Sequence, residues 1–145
     1  MIKNVKDLCI NKNAKIIDCL VLLEKLGSQI VFVVEKNYKL VGTLTDGDIR
    51  RAIINGKNTA SSIEDIMNKK FFSLPFGHDD SQYKILMEKN NLKHIPTLND
   101  KGIIIGFKSF RDLLKPKILN NSVVIMAGGK GLRLNPLTKN GPKPM

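Results

Sequence analysis

Two residue patterns in this chain could do chemistry. The first is a hydroxyl followed three residues later by a carboxylate. Thr45 and Asp48 take these places in "LVGTLTDGDIRRAI", and Ser109 and Asp112 take them in "GIIIGFKSFRDLL". At a helix start, such a pair satisfies free backbone N–H groups and closes a cap. The same groups suit a nucleotide. A helix N-terminus offers N–H donors and partial positive charge to a phosphate. The Thr45 hydroxyl adds a hydrogen bond, and the Asp48 carboxylate can accept from both hydroxyls of a ribose. Gly47 would let a ligand come close to the backbone. Helix cap and nucleotide site both stand on these residues.

The second pattern is "NSVVIMAGGKGLRLNPLTKNGPKPM", residues 121–145. An apolar run, Val123 to Met126, leads into Gly128, Gly129 and Gly131, then Arg133, then Lys143 between two prolines. It is not a Walker P-loop, because no Gly-Lys-Ser/Thr follows at the required spacing. It is a poor dinucleotide fingerprint, since Leu134 stands where the third glycine belongs. Residues 122–145 hold Lys130, Arg133, Lys139 and Lys143 and no acidic residue. That charge, in a Gly- and Pro-rich segment, suits a phosphate-bearing partner or a basic linker.

The elements that must position the first pattern repeat. A shift of 64 residues lays Leu22-Leu23-Glu24-Lys25 on Leu86-Met87-Glu88-Lys89, Val41-Gly42 on Ile105-Gly106, Thr45 on Ser109 and Asp48 on Asp112. With only two copies, each longer than a solenoid repeat, the pattern predicts two pseudo-symmetric subdomains packed together. In the first, residues 14–26 read as a helix, with Ile16, Ile17, Leu20, Leu23 and Lys25 placed so that one face is apolar, stopped by Gly27. "QIVFVVE" reads as a buried strand, "KNYK" as a turn, "LVGTL" as a second strand and "TDGDIRRAIING" as a helix. In the second, residues 79–90 form the helix, "HIPTL" and "GIIIGF" the strands and "SFRDLLK" the last helix. Between them, "SSIEDIMNKK" has Ser61 and Glu64 at capping-box spacing and reads as a short helix, and "FFSLP" as a strand.

On these residues, "LVGTLTDGDIRRAI" resembles the closing segment of a CBS domain, and is especially similar to the CBS pairs of sugar-phosphate isomerases. "HIPTLNDKGIIIGFKSFRDLL" fits the same pattern more loosely, with Phe110-Arg111 for Asp46-Gly47 and Lys108 for Leu44. The resemblance covers residues 1–117. It implies two β-α-β-β-α units packed as a Bateman module, with an AMP-, ADP- or ATP-type ligand in the cleft between them. It also implies that Thr45 and Ser109 contact phosphate and that Asp48 and Asp112 contact ribose. Such pairs often dimerise, so the resemblance implies a homodimer too. A module serving dimerisation alone, with Thr45 and Asp48 as caps only, is the rival reading.

The Gly-rich segment is similar to the N-terminal signature of sugar-1-phosphate nucleotidyltransferases, with Gly131-Leu132-Arg133 where that family usually has Gly-Thr-Arg. The resemblance implies that a sugar 1-phosphate attacks the α-phosphorus of a nucleoside triphosphate, giving an NDP-sugar and pyrophosphate. Gly128, Gly129 and Gly131 would bring backbone N–H groups to the nucleotide, Arg133 would neutralise phosphate charge and Lys143 would supply a point charge. The family uses Mg²⁺ held by carboxylates, and residues 122–145 contain none. The organisation expected is CBS domain 1 over 1–60, CBS domain 2 over 61–117, and from 118 to 145 the first strand and Gly-rich loop of a truncated Rossmann-like domain, inactive as it stands. The class is α/β (α+β). Fusions of this order resemble guanylyltransferases of legionaminic acid biosynthesis.

Composition narrows the remaining classes. The formal charge of +11 suits anionic partners, but aromatics are 6% and Trp is absent. Nucleic-acid binding would want clustered Lys/Arg interleaved with aromatics, so nucleotide and sugar phosphate are the expected partners. No apolar run reaches membrane-spanning length. Together with the lack of a secretory signal, this makes the cytoplasm the expected location. Cys9 and Cys19 show no metal spacing and read as structural thiols. His78 and His94 have no second ligand near them at metal spacing, and no metal is expected in this chain. His78 reads as exposed, and His94 as facing the cleft or the surface.

Overall fold

The computed structural model describes residues 4–115. Residues 118–145, with the expected loop residues Gly128, Gly129, Gly131, Arg133 and Lys143, lie outside them. The first half runs β1 (Cys9–Asn11), α1 (Ile16–Leu26), β2 (Ile30–Val34), β3 (Leu40–Thr45) and α2 (Asp46–Ile54). The second runs β4 (Leu74–Pro75), α3 (Asp80–Asn90), β5 (His94–Leu98), β6 (Ile104–Ser109) and α4 (Phe110–Leu113). Each half is therefore the expected β-α-β-β-α unit. The sheets are ordered β1-β2-β3 and β4-β5-β6, each with one parallel and one antiparallel pairing.

The repeat extends to the pairing register. Ile30 faces Thr45 and His94 faces Ser109, and each ladder shifts register near its far end, between Val33 and Val34 or Thr97 and Leu98. The helix stops repeat as well. Gly27 ends α1 at φ 58° and Asn91 ends α3 at φ 52°. Both are left-handed, which glycine adopts freely and asparagine tolerates.

All five residues of β2 are buried, because the strand is covered on both faces and cannot alternate. Val31 and Val33 join Ile16, Cys19, Leu23, Leu44, Ile49 and Ala52 under the helices. Ile30, Phe32 and Val34 lie with Leu8, Leu40 and Ile104 on the other face, where the halves meet. There the Phe32 and Phe107 rings lie 5.5 Å apart, tilted by 57°. The halves also pair edge to edge: Lys39 bridges Ile103, and the Leu40 N–H donates to the Gly102 carbonyl at 3.1 Å.

Five local expectations need correction. On α1, Cys19 is fully buried and Ile17 is 44% exposed, so the buried stripe runs Ile16, Cys19, Leu23. The linker turn is a 3-10 turn over Ile63–Asp65 capped by Ser62, whose hydroxyl accepts from the Glu64 N–H. Ser61 instead hydrogen-bonds Asn58. "FFSLP" contributes only Leu74–Pro75 as strand, and "SFRDLLK" only four helical residues. His78 is partly covered rather than open, and its Nδ1 lies 2.7 Å from the Gln82 amide oxygen.

Candidate functional site

Thr45 ends β3 and caps α2. Its extended backbone, φ −110° and ψ 163°, turns the hydroxyl back to accept from the Asp48 N–H at 3.2 Å. The Asp48 carboxylate answers. Its Oδ2 accepts from the Thr45 N–H at 2.8 Å and from the Thr45 hydroxyl at 2.6 Å, and its Oδ1 accepts from Arg51 at 2.6 Å. A full capping box is in place. The Asp48 side chain is 21% exposed, so it is held rigidly yet reachable. Asp46 and Arg50 form a second ion pair one turn along the surface. A Cβ added at Gly47 would meet only the Arg51 and Thr45 side chains, no nearer than 3.5 Å. Packing therefore does not require glycine there.

The second copy repeats the cap. Ser109 Oγ accepts from the Asp112 N–H at 3.1 Å and donates to Asp112 Oδ2 at 2.7 Å. Lys115 donates to Asp112 Oδ1 at 2.6 Å. The bonds from Lys115 and Ser109 hold the Asp112 carboxyl below the usual carboxylate range. This pair is more open than the first: the Asp112 side chain is 55% exposed.

A cleft of about 880 Å³ opens beside the first pair. Thr45, Gly47, Asp48 and Arg51 line it from the first half, and Asn91, Leu92, Lys93 and His94 from the second. Asn68 joins the lining because its backbone pairs with Thr43 in both directions, at 2.8 and 3.1 Å. Ser109 and Asp112 are not in this lining. The fold thus brings Thr45 and Asp48 to one cleft with the start of β5, where His94 pairs with Ser109 and the Lys93 carbonyl accepts from the Phe110 N–H at 2.8 Å. Lys93 and His94 escape the hydroxyl-carboxylate pattern, and their signal is weak. The 64-residue shift sets them against Gln29 and Ile30, a change of chemistry inside a repeat. Burial, with Lys93 adding to it, lowers the His94 pKa, and Asp112 opposes the shift.

A family model of the CBS domain matches residues 1–55, and one of the nucleotidyl transferase family matches residues 122–145. A solved CBS-domain pair, that of protein MJ0100 in complex with 5-methylthioadenosine and S-adenosyl-L-methionine, superposes with a TM-score of 0.67 at 25% identity. The match covers 77% of this chain and 96% of that one. Residues 4–115 have the fold of a CBS-domain pair. A structure with CBS domains from Burkholderia ambifaria matches this pair at 26% identity and TM-score 0.67, over 79% of this chain and 85% of its own. Among curated proteins, an inosine-5'-monophosphate dehydrogenase of Nitrosopumilus maritimus is 30% identical over 104 residues. These are 72% of this chain and 21% of the dehydrogenase. The pair thus spans about a fifth of that relative's length. Among the described residues, no helix is long and apolar enough to cross a membrane.

Proposed function

We propose that this CBS pair is the nucleotide-sensing module of a sugar-1-phosphate nucleotidyltransferase, with an adenine nucleotide or related ligand in the cleft beside Thr45 and Asp48. The observation that carries this is the cleft itself. It joins a capped helix start in one half to a cationic strand start in the other. The adenosine-bearing ligands of the MJ0100 pair support an adenosine moiety at such a site. For the ligand, the α2 N-terminus would supply N–H groups to phosphate and Asp48 would turn to accept from ribose.

The transferase reading rests on residues 122–145 and their family match. In that reaction a sugar 1-phosphate oxygen bonds the α-phosphorus of a nucleoside triphosphate as the bond to pyrophosphate breaks. Gly128, Gly129 and Gly131 would present backbone N–H groups, and Arg133 and Lys143 would balance phosphate charge. The residues at hand make no Mg²⁺ site. Residues 122–145 carry no Asp or Glu, and the described residues gather no cluster of three metal-ligating side chains. Surface-glycan synthesis, including the legionaminic acid branch, is the pathway class this order of parts fits.

Titration calorimetry with AMP, ADP, ATP and GTP tests the sensor. Saturable binding that a Thr45→Ala/Asp48→Ala variant loses is the expected result, and a folded chain that binds none of the four overturns it. A dimerisation role is the second reading. Val21 on α1 and its repeat counterpart Ile85 on α3 are 59% and 63% exposed, which suits a self-complementary apolar contact. Sedimentation of a Val21→Glu/Ile85→Glu variant should then show monomer where the parent chain shows dimer.

A further inference from the structure

The two halves differ in what holds the segment that leads through their first strand. In the first half this segment is tied down. Leu8 is fully buried, the Lys6 ammonium lies 4.9 Å from the centre of the Tyr38 ring, and Lys12 pairs with Glu35 at 3.6 Å. The 64-residue shift relates Lys6, Leu8 and Lys12 to Lys70, Phe72 and Phe76, and Glu35 and Tyr38 to Asn99 and Gly102. The strand register supports this correspondence. Ile10 pairs with Val33 as Leu74 does with Thr97, and the Lys12 and Phe76 N–H groups donate to the Val34 and Leu98 carbonyls, both at 3.1 Å.

In the second half both restraints are gone. Gly102 has no ring to set against Lys70, and the Asn99 amide oxygen already accepts from the Lys101 and Ile103 N–H groups of its own turn. Phe76 is 81% exposed, and Phe72 is exposed as well. Lys69 and Lys70 are exposed, and neither side chain has an ion pair or hydrogen bond among the described residues. The strip is nevertheless anchored at both ends, by the pairing of Asn68 with Thr43 and by the bond from Phe76 to Leu98. The acids that follow it are engaged: Asp79 caps α3, and Asp80 pairs with Lys108.

The missing restraints define what would cover the strip: a carboxylate in the role of Glu35 and an aromatic ring in the role of Tyr38. Residues 116–145 contain no Asp, Glu or aromatic residue. A second copy keeps its Glu35 on Lys12 and Lys39 and its Tyr38 under Lys6, and a self-complementary contact through the strip would set lysines against lysines. We propose that residues 69–76 dock an acidic, aromatic-bearing segment of a partner protein. Its carboxylates pair with Lys69 and Lys70, and its ring packs on Phe72 and Phe76. None of residues 69–76 lines the cleft, so docking needs no ligand there.

Fluorescence anisotropy of a labelled peptide, Gly-Ser-Glu-Tyr-Glu-Tyr-Glu-Ser-Gly, titrated with the full chain tests this. Saturable binding is expected, at least about threefold weaker when the glutamates become glutamine or the tyrosines serine. Lys69→Gln/Lys70→Gln and Phe76→Ser should each weaken it by at least about the same factor. Phe76→Lys/Asn99→Glu, which installs the first half's ion pair, should do so too. The first two variants alter exposed side chains only, and they carry the test if the third fails to fold. Lys25→Gln/Lys89→Gln removes the same charge elsewhere and should change nothing. An unbound peptide, an unaffected Phe76→Ser, or an equal loss on changing Lys25 and Lys89 would overturn the proposal. Tighter binding of phosphatidylglycerol vesicles or of oligouridylate would overturn it too, in favour of a membrane or a nucleic acid.

Discussion

At the scale of single residues, one side chain serves two ends. The Asp48 carboxylate spends Oδ2 on the Thr45 cap and Oδ1 on Arg51, so a ribose would have to displace one of them. Thr45→Ala should therefore cost stability without ligand, about 1 kcal/mol for a lost cap, read from the urea midpoint. His94 gives a pH dependence whose sign is fixed. Its folded pKa lies below the ordinary value of 6.5, through burial and then Lys93. Between the two values the unfolded chain binds more protons. Stability is then full above about 6.5 and falls as the pH drops toward the folded pKa. Urea midpoints at neutral and mildly acidic pH should show that slope, and His94→Asn should flatten it. The thiols are pushed the other way. Burial raises Cys9 to about 11 and Cys19 to about 12. Iodoacetamide at pH 8 should label both slowly in the native chain and at ordinary thiol rates in urea.

At the scale of elements, the strands and long helices were legible because their signals are local. "IVFVV" is β-branched and aromatic, and Gly27 marks the end of α1. The α1 stripe was less legible. Cys19 counts as weakly apolar in a pattern search, yet it is the residue that packs under β2 beside Ile16 and Leu23. The linker cap moved by one residue because Ser61 is claimed by Asn58, a contact with no mark in the spacing. The cap pairs were found from the repeat. Lys93 was not, and His94 was read only as facing the cleft or the surface, since their place in the lining depends on a cleft between segments far apart in the chain. Gly42 shows the same non-local logic. A Cβ there would stand 2.7 Å from Met67 Sδ and 3.3 Å from the Asn68 carbonyl. Gly42→Ala should therefore cost about 1–3 kcal/mol through overpacking, measured by chemical denaturation, and should disturb the Asn68 wall of the cleft.

At the scale of the molecule, the halves share one apolar seam. Phe32 is fully buried and stacks at a tilt on Phe107. Phe32→Ala should remove about 3–5 kcal/mol, and far-UV and near-UV unfolding curves, expected to coincide in the parent chain, should separate in the variant. The edge contact near the pseudo-dyad has a further consequence. Lys39 and Ile103 are themselves related by the 64-residue shift, so the bridge between them joins each half to the other at the same point of its own fold. Such a joint works mechanically as a pin. Sliding one sheet along the other would shear the Leu40-to-Gly102 hydrogen bond, whereas rotation about the joint keeps it. The joint therefore fixes the register of the two sheets along the seam that Phe32 and Phe107 fill.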